Sequence, residues 1–144
     1  MKIYFLFVLI LFQIYFANCQ VWDYSYTIYT KSDGLPSNTV YSVCSDKNGI
    51  MWIGTNAGLC RFDGTKITIF TTADGLPNND VFQVYCDSKN TIWIKTMGKD
   101  VCYCKNNKIF CKSNSSILNK LKTQTKIVAI FEDSESSIWI ISYP

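Results

Sequence analysis

Asp33-Gly34-Leu35-Pro36-Ser37-Asn38-Thr39-Val40 returns 41 residues later as Asp74-Gly75-Leu76-Pro77-Asn78-Asn79-Asp80-Val81. Trp52 returns as Trp93 at the same displacement. A looser third copy follows 46 residues on, where Ile127, Ile130, Asp133 and Trp139 take the places of Val81, Val84, Asp87 and Trp93. In every copy the Asp stands six residues before the Trp, as Asp46/Trp52, Asp87/Trp93 and Asp133/Trp139. A period near 40 with short apolar runs between turn residues is the pattern of small four-stranded sheets set in a row.

The first copy shows the strands most clearly. Val40–Ser45 reads as an inner strand, Met51–Thr55 as the second, Gly58–Phe62 as the third and Lys66–Thr71 as the outer one. Asp46-Lys47-Asn48-Gly49 and Asp63-Gly64 supply turns, since Asn and Gly tolerate positive φ and Asp bonds its neighbouring backbone. One sheet cannot bury both faces alone, so such units stack around an axis as propeller blades. The expected fold is all-β, a partial β-propeller of four-stranded antiparallel blades: repeat 1 at 33–73, repeat 2 at 74–119 and a partial repeat 3 at 120–144. Tyr26-Thr27-Ile28-Tyr29-Thr30 precedes the first Asp-Gly-Leu-Pro as Ile67-Thr68-Ile69-Phe70-Thr71 precedes the second, so 26–30 reads as an orphan outer strand. Closed propellers use such a strand to complete the last blade. They usually have about four or more blades, so 20–144 reads as an incomplete ring, a piece of a longer protein or a truncated product.

Composition narrows the functional classes. The 144 residues are 48% hydrophobic, 15% aromatic and 17% charged, too apolar for a disordered chain. A formal charge of +3 projects no field toward nucleic acid. The absence of histidine rules out a His-dependent triad, a His metal site or a phosphoacceptor His within this sequence. Lys2, the apolar run Ile3–Phe12 and Ala17-Asn18-Cys19 have the layout of a secretory signal over 1–19, cut before Gln20. Acylation of Cys19 is the alternative, though Asn18 suits it poorly. From Lys95 to Lys126 there are eight lysines and one acid, Asp100. A solvated blade edge protected by lysines accounts for this run, and an acidic glycan or anionic surface is the functional alternative.

At Asp33–Val40, Met51-Trp52-Ile53-Gly54-Thr55, Gly58-Leu59 and Arg61-Phe62-Asp63-Gly64 the sequence resembles the two-component regulator propeller repeat. Copy two departs from it with Lys95 for Gly54 and Asn106 for Gly64, and copy three lacks the Asp-Gly-Leu-Pro opening. The resemblance implies the exported sensor region of a bacterial hybrid or sensor histidine kinase, of a kind common in Bacteroidetes. It lies on the periplasmic or cell-surface side, where several relatives sense glycans. In such receptors further blades, an immunoglobulin-like module, a membrane helix and a kinase follow, and the receptor can dimerise. The function so implied is a non-catalytic ligand-binding propeller, with no cofactor, no metal and no nucleic-acid partner. A secreted fragment serving adhesion or scaffolding is the rival, and a propeller hydrolase or lyase a weaker one, because no paired acids or nucleophile and base can be assembled.

Residues that recur in every copy read first as structure. Trp52, Trp93 and Trp139 are expected to pack between blades. Gly34, Leu35, Pro36 and Gly75, Leu76, Pro77 belong to the link between one blade's outer strand and the next blade's inner strand, with Pro fixing the chain and Leu plugging the gap. Asp46, Asp87 and Asp133 read as turn residues, Asp46-x-Asn48 being only a fragment of a calcium-loop pattern. Propeller ligands meet connecting loops, which leaves Ser37, Asn38, Asn78, Asn79 and Asp80 as the ligand-binding candidates. Asn114-Ser115-Ser116 is a glycosylation sequon.

Outside Cys19, the cysteines are Cys44, Cys60, Cys86, Cys102, Cys104 and Cys111. An exported chain invites disulfides, with buried free thiols as the alternative. If Asn106-Asn107 is a two-residue turn, Cys102 opposes Cys111 on a close pair able to form a disulfide. If the turn is Lys105-Asn106, Cys102 opposes Ile109 and no bridge forms.

Overall fold

A computed structural model describes residues 25–121 and 125–143. The expected signal at 1–19 lies outside the described residues. Strands β1 (Val40–Ser45), β2 (Met51–Thr55), β3 (Gly58–Phe62) and β4 (Ile67–Phe70) make one antiparallel sheet in chain order. Strands β5 (Val81–Cys86), β6 (Ile92–Thr96), β7 (Val101–Lys105) and β8 (Lys108–Phe110) make a second, and β9 (Ile127–Glu132) pairs with β10 (Ile138–Ser142) in a third. These are blades 1, 2 and 3. Cys44, Tyr85 and Phe131 stand opposite Trp52, Trp93 and Trp139, so the three inner hairpins share one register.

The inner hairpins turn alike because the same position takes a left-handed backbone in each: Gly49 at φ +77°, Asn90 at +61° and Ser136 at +61°. Glycine adopts that region freely and Asn tolerates it, so the turn is least strained in the first copy. The Asp-Gly-Leu-Pro link has an equally local cause. Thr30 and Asp33 cap a single 3₁₀ turn at Lys31–Asp33 reciprocally, and Gly34 leaves it at φ +102°. Thr71, Asp74 and Gly75 repeat the arrangement around Thr72–Asp74. Leu35 and Leu76 are thereby driven into buried positions. Because Thr71 is spent on that cap and Lys66 on the Asp63 turn, the outer strand is Ile67–Phe70, shorter than the expected Lys66–Thr71.

Residues 26–30 form no strand, contrary to expectation. A strand needs a neighbour to take its backbone hydrogen bonds, and none of the described strands pairs with this segment. Among the described residues Tyr29 packs on Phe62, with ring centroids 4.9 Å apart. A further departure is the single-turn helix α1 (Ser116–Asn119), capped by the Ser115 hydroxyl and anchored by buried Leu118. Four residues are too few to show helical periodicity in a sequence.

The turn that forms between β7 and β8 is Asn106-Asn107, both residues left-handed at φ +52° and +57°, the geometry a tight hairpin needs. Lys105 therefore pairs with Lys108, Cys104 with Ile109 and Tyr103 with Phe110, and the alternative turn is not adopted. Cys102 and Cys111 are disulfide-bonded, with Cα atoms 4.3 Å apart. The bridge closes a short loop, so a Cys102→Ser, Cys111→Ser double variant is expected to lose about 2 kcal/mol, within the range for short disulfide loops. Urea unfolding of the two proteins under non-reducing conditions measures it.

The core lies between blades. Leu59, Val81 and Ile94 are completely buried in the seam of blades 1 and 2, with Trp52, Phe70 and Leu76 around them. Burying an aliphatic side chain of this size contributes roughly 1.5–3 kcal/mol, so the seam is the main source of stability. Ile127 and Ile130 fill the same role against Val101 and Trp93 at the next seam. The outward faces lack such a partner among the described residues. Val43 is 54% exposed where its counterpart Val84 is 4% exposed, and Trp139 is 54% exposed where Trp52 is 3% exposed.

Candidate functional site

The seam between blades 1 and 2 is stitched by polar groups along its inner edge. Ser42 Oγ accepts from Val84 N at 3.1 Å and lies 3.4 Å from the Val84 carbonyl. One blade on, Gln83 takes the same position and spans the next seam, its amide donating to Ile130 O at 2.8 Å and accepting from Ile130 N at 3.0 Å. Lys47 N donates to Asn90 Oδ1 at 2.8 Å, and the Lys47 ammonium donates to the Ser88 carbonyl. Each inner strand thus lends one side chain to the backbone of the next.

The spacing of Asp and Trp has a second purpose beyond turn and packing. Asp87 Oδ1 accepts from Lys89 N and Thr91 N at 2.9 and 2.7 Å, closing the turn, and Oδ2 accepts from the Trp93 indole at 2.8 Å. Asp46 does the same with Asn48, Ile50 and Trp52, and Asp133 with Glu135, Ser137 and Trp139. One carboxylate therefore ties the hairpin turn to the indole that fills the sheet. The Asp46 oxygens are committed to these bonds.

The loop residues expected to meet a ligand are largely occupied by their own chain. Asn38 Oδ1 accepts from Lys31 N at 2.8 Å and Asn79 Oδ1 from Thr72 N at 2.9 Å, which ties each link to the 3₁₀ turn before it. Ser37 Oγ accepts from Thr39 N, and Asn78 Oδ1 from Asp80 N. The carbonyl of Asp80 accepts from Met97 N. What these loops still offer are the Ser37 hydroxyl as a donor, the amide N–H groups of the three Asn side chains and the Asp80 carboxylate. In the sequon, Asn114 accepts from Cys111 N at 2.6 Å and donates to Ile109 O at 3.2 Å.

A cleft of about 310 Å³ opens between blades 1 and 2 at the other end of the sheets. Its place follows from the meander: the β1–β2, β5–β6 and β7–β8 turns share one end, and the Asp-Gly-Leu-Pro links lie at the opposite end. Trp52, Ile50 and Ile92 line it, as do Cys104, Asp46, Arg61, Lys89 and Lys105. Asn48, Asn90, Asn106 and Asn107 complete the lining. None of Ser37, Asn38, Asn78, Asn79 or Asp80 reaches it. Three cations and four amides over an indole, with one acid already hydrogen-bonded, suit a small polar ligand with anionic groups. Burial pushes the Cys104 thiol up to about 11, against the pull of Arg61, so it is a neutral wall at physiological pH.

Arg61 is aimed by Asp63, whose Oδ2 lies 3.3 Å from the guanidinium. Asp63 is held down to about 2, first by the backbone N–H of Lys66, then by the Thr65 hydroxyl and backbone, with Arg61 adding a smaller pull. A carboxyl whose folded value lies below its ordinary 3.8 stabilises the fold fully above that ordinary value and ceases to as pH falls through about 2. The Asp63 carboxyl resonance is accordingly expected to titrate near 2, and NMR titration of the folded chain between neutral and strongly acidic pH checks it.

The repeat geometry agrees with the sequence family. Residues 34–57 and 75–98 each match the model of the two-component regulator propeller. These two stretches are two-component regulator propeller repeats. Each match runs from the link glycine through the two inner strands of a blade, the part that builds the seam. Among solved structures, the chain is similar to one described as the extracellular domain of a hybrid two-component system from B. thetaiotaomicron, with 26% identity and a TM-score of 0.65 over 80% of this chain. It spans only 16% of that structure's chain. It is also similar in fold to virginiamycin B lyase from Staphylococcus aureus, at 17% identity and a TM-score of 0.56, covering 72% of this chain and 34% of that one. A streptogramin B lyase is comparable, at 16% identity and a TM-score of 0.57, covering 76% of this chain and 36% of that one. The lyases show the propeller architecture alone. No curated protein matches the chain in sequence.

Proposed function

We propose that the chain is part of the extracytoplasmic sensor propeller of a two-component receptor and acts as a non-catalytic binding module. The observation that carries this is the pair of regulator propeller repeats, together with the likeness to a two-component extracellular domain over most of the chain. The cleft between blades 1 and 2 is the ligand site in this reading, and its cations favour carboxylated or sulfated small molecules, acidic sugars among them. A ligand bridging Arg61 and Lys105 would touch both blades at once. Binding could then change how the blades pack, and further blades, a membrane helix and a kinase would relay that change. The partner is an extracellular solute; nucleic acid and ATP have no place in the scheme.

Calorimetry against acidic and neutral oligosaccharides, using the wild-type chain and an Arg61→Ala, Lys105→Ala variant, tests the reading. An acidic ligand whose binding falls at least tenfold in the variant supports it. Ligands that bind both proteins equally would move the site elsewhere, with the Asn38 and Asn79 loops next in line. Stoichiometric transfer of γ-phosphate from ATP to the purified chain would overturn the non-catalytic assignment.

A further inference from the structure

The blade 1–blade 2 seam also holds two unbonded cysteines, one on each blade. Strands β1 and β5 run side by side in the same direction, as the successive contacts Tyr41 to Phe82, Ser42 to Val84 and Lys47 to Asn90 show. Side chains two residues apart share a face of a strand. Ser42 points at β5, so Cys44 does too. Val84 is buried against blade 1, so Cys86 points back at β1. The Cys86 thiol lies 3.6 Å from Asn90 Oδ1, the same oxygen that accepts from Lys47 N of blade 1, and Cys44 and Cys86 both pack against the same core cluster. Neither is disulfide-bonded, and both are half-buried. At the next seam the corresponding residues are Tyr85 and Glu132, so this seam alone carries the thiol pair.

We propose that Cys44 and Cys86 are a site of oxidative cross-linking, closing to an inter-blade disulfide when a small-molecule disulfide is present. The more exposed thiol, Cys86, attacks the oxidant as its thiolate, forming a mixed disulfide and releasing one small thiol. The Cys44 thiolate then displaces the second small thiol and leaves the Cys44–Cys86 bond. The two cysteines give up two protons and two electrons, and the oxidant is reduced to two thiols. Burial pushes the Cys44 thiol up to about 12 and raises Cys86 as well, so closure is slow at neutral pH and faster in alkali. Closure would staple the seam two residues from Asp46, at the wall of the cleft. The inference stands on the seam geometry and is independent of what the cleft binds.

Incubation of the purified full chain with oxidised glutathione at mildly alkaline pH, followed by alkylation and peptide mapping without reduction, tests it. Peptides carrying Cys44 and Cys86 are expected as one linked species, beside the Cys102–Cys111 pair. Cys44→Ser is expected to stall as a glutathione mixed disulfide on Cys86. Oxidation is expected to raise the thermal midpoint of the wild type, but of neither Cys44→Ser nor Cys86→Ser, by about 5 °C. Recovery of both cysteines as free thiols, as two separate glutathione adducts, or bridged to Cys60 or Cys104 overturns the proposal.

Discussion

Gly54→Ala is expected to lower the stability of the chain by about 3 kcal/mol, the upper end of what overpacking costs. A Cβ at this position would stand 2.5 Å from the carbonyl oxygen of Val81 and 3.0 Å from its Cγ1. Carbon and oxygen do not approach so closely, and the obstacle is backbone at the start of β5, unable to swing aside as a long side chain would. Blades 1 and 2 would have to separate, opening the seam where Leu59 and Ile94 are wholly buried. Position 95 is the equivalent in blade 2 and carries Lys95, whose ammonium lies 5.4 Å over the Phe82 ring. The contrast follows the stitching residues: the short Ser42 suffices where Gly54 lets the backbones meet, and the longer Gln83 is needed at the seam that accommodates Lys95. Lys95→Gly is therefore expected to cost less than about 1 kcal/mol, the usual penalty of a strand glycine. Chemical denaturation of both variants distinguishes the cases, and a Gly54→Ala midpoint equal to wild type would mean the blades do not approach as described.

That contrast marks how far the sequence could be read. The turn residues were enough to place every strand of blade 1 within a residue, because alternation and turn chemistry are local properties of the chain. The Asn106-Asn107 turn was one of two that the sequence allowed, and the facing of Cys102 and Cys111 depended on which one formed. Lys95 in place of Gly54 was visible as a departure, but its meaning required the neighbouring blade. The Ser42 and Gln83 stitches were hidden because equivalent positions do one task with different residues, so repetition gave no cue. Asp and Trp were seen at a constant spacing and assigned separate duties, since only the path of the turn brings a carboxylate back to an indole six residues on. The cleft was missed because its lining comes from separate turns on two blades. Residues 26–30 misled for the opposite reason: their pattern is strand-like, but a strand exists only beside another.

Asp87→Ala is expected to cost about 3 kcal/mol, because it strips partners from buried donors at roughly 1–3 kcal/mol each. Asp87 is 6% exposed and its carboxylate takes the N–H groups of Lys89 and Thr91 together with the Trp93 indole. Alanine leaves buried Thr91 N and half-buried Trp93 Nε1 without their acceptor. Asp87→Asn is expected to lose about half as much, since the amide keeps one oxygen for the turn but presents an N–H₂ toward the indole N–H. The Trp93→Phe variant removes that donor, so the double variant Asp87→Asn, Trp93→Phe should recover part of the loss, giving a coupling of about 1 kcal/mol in a double-mutant cycle. The same change at Asp133 is expected to matter less, because Trp139 is exposed and water can replace the carboxylate. A coupling near zero between positions 87 and 93 would show that the turn bonds alone hold the hairpin. The regular six-residue spacing would then be a consequence of blade register, with no bond selecting it.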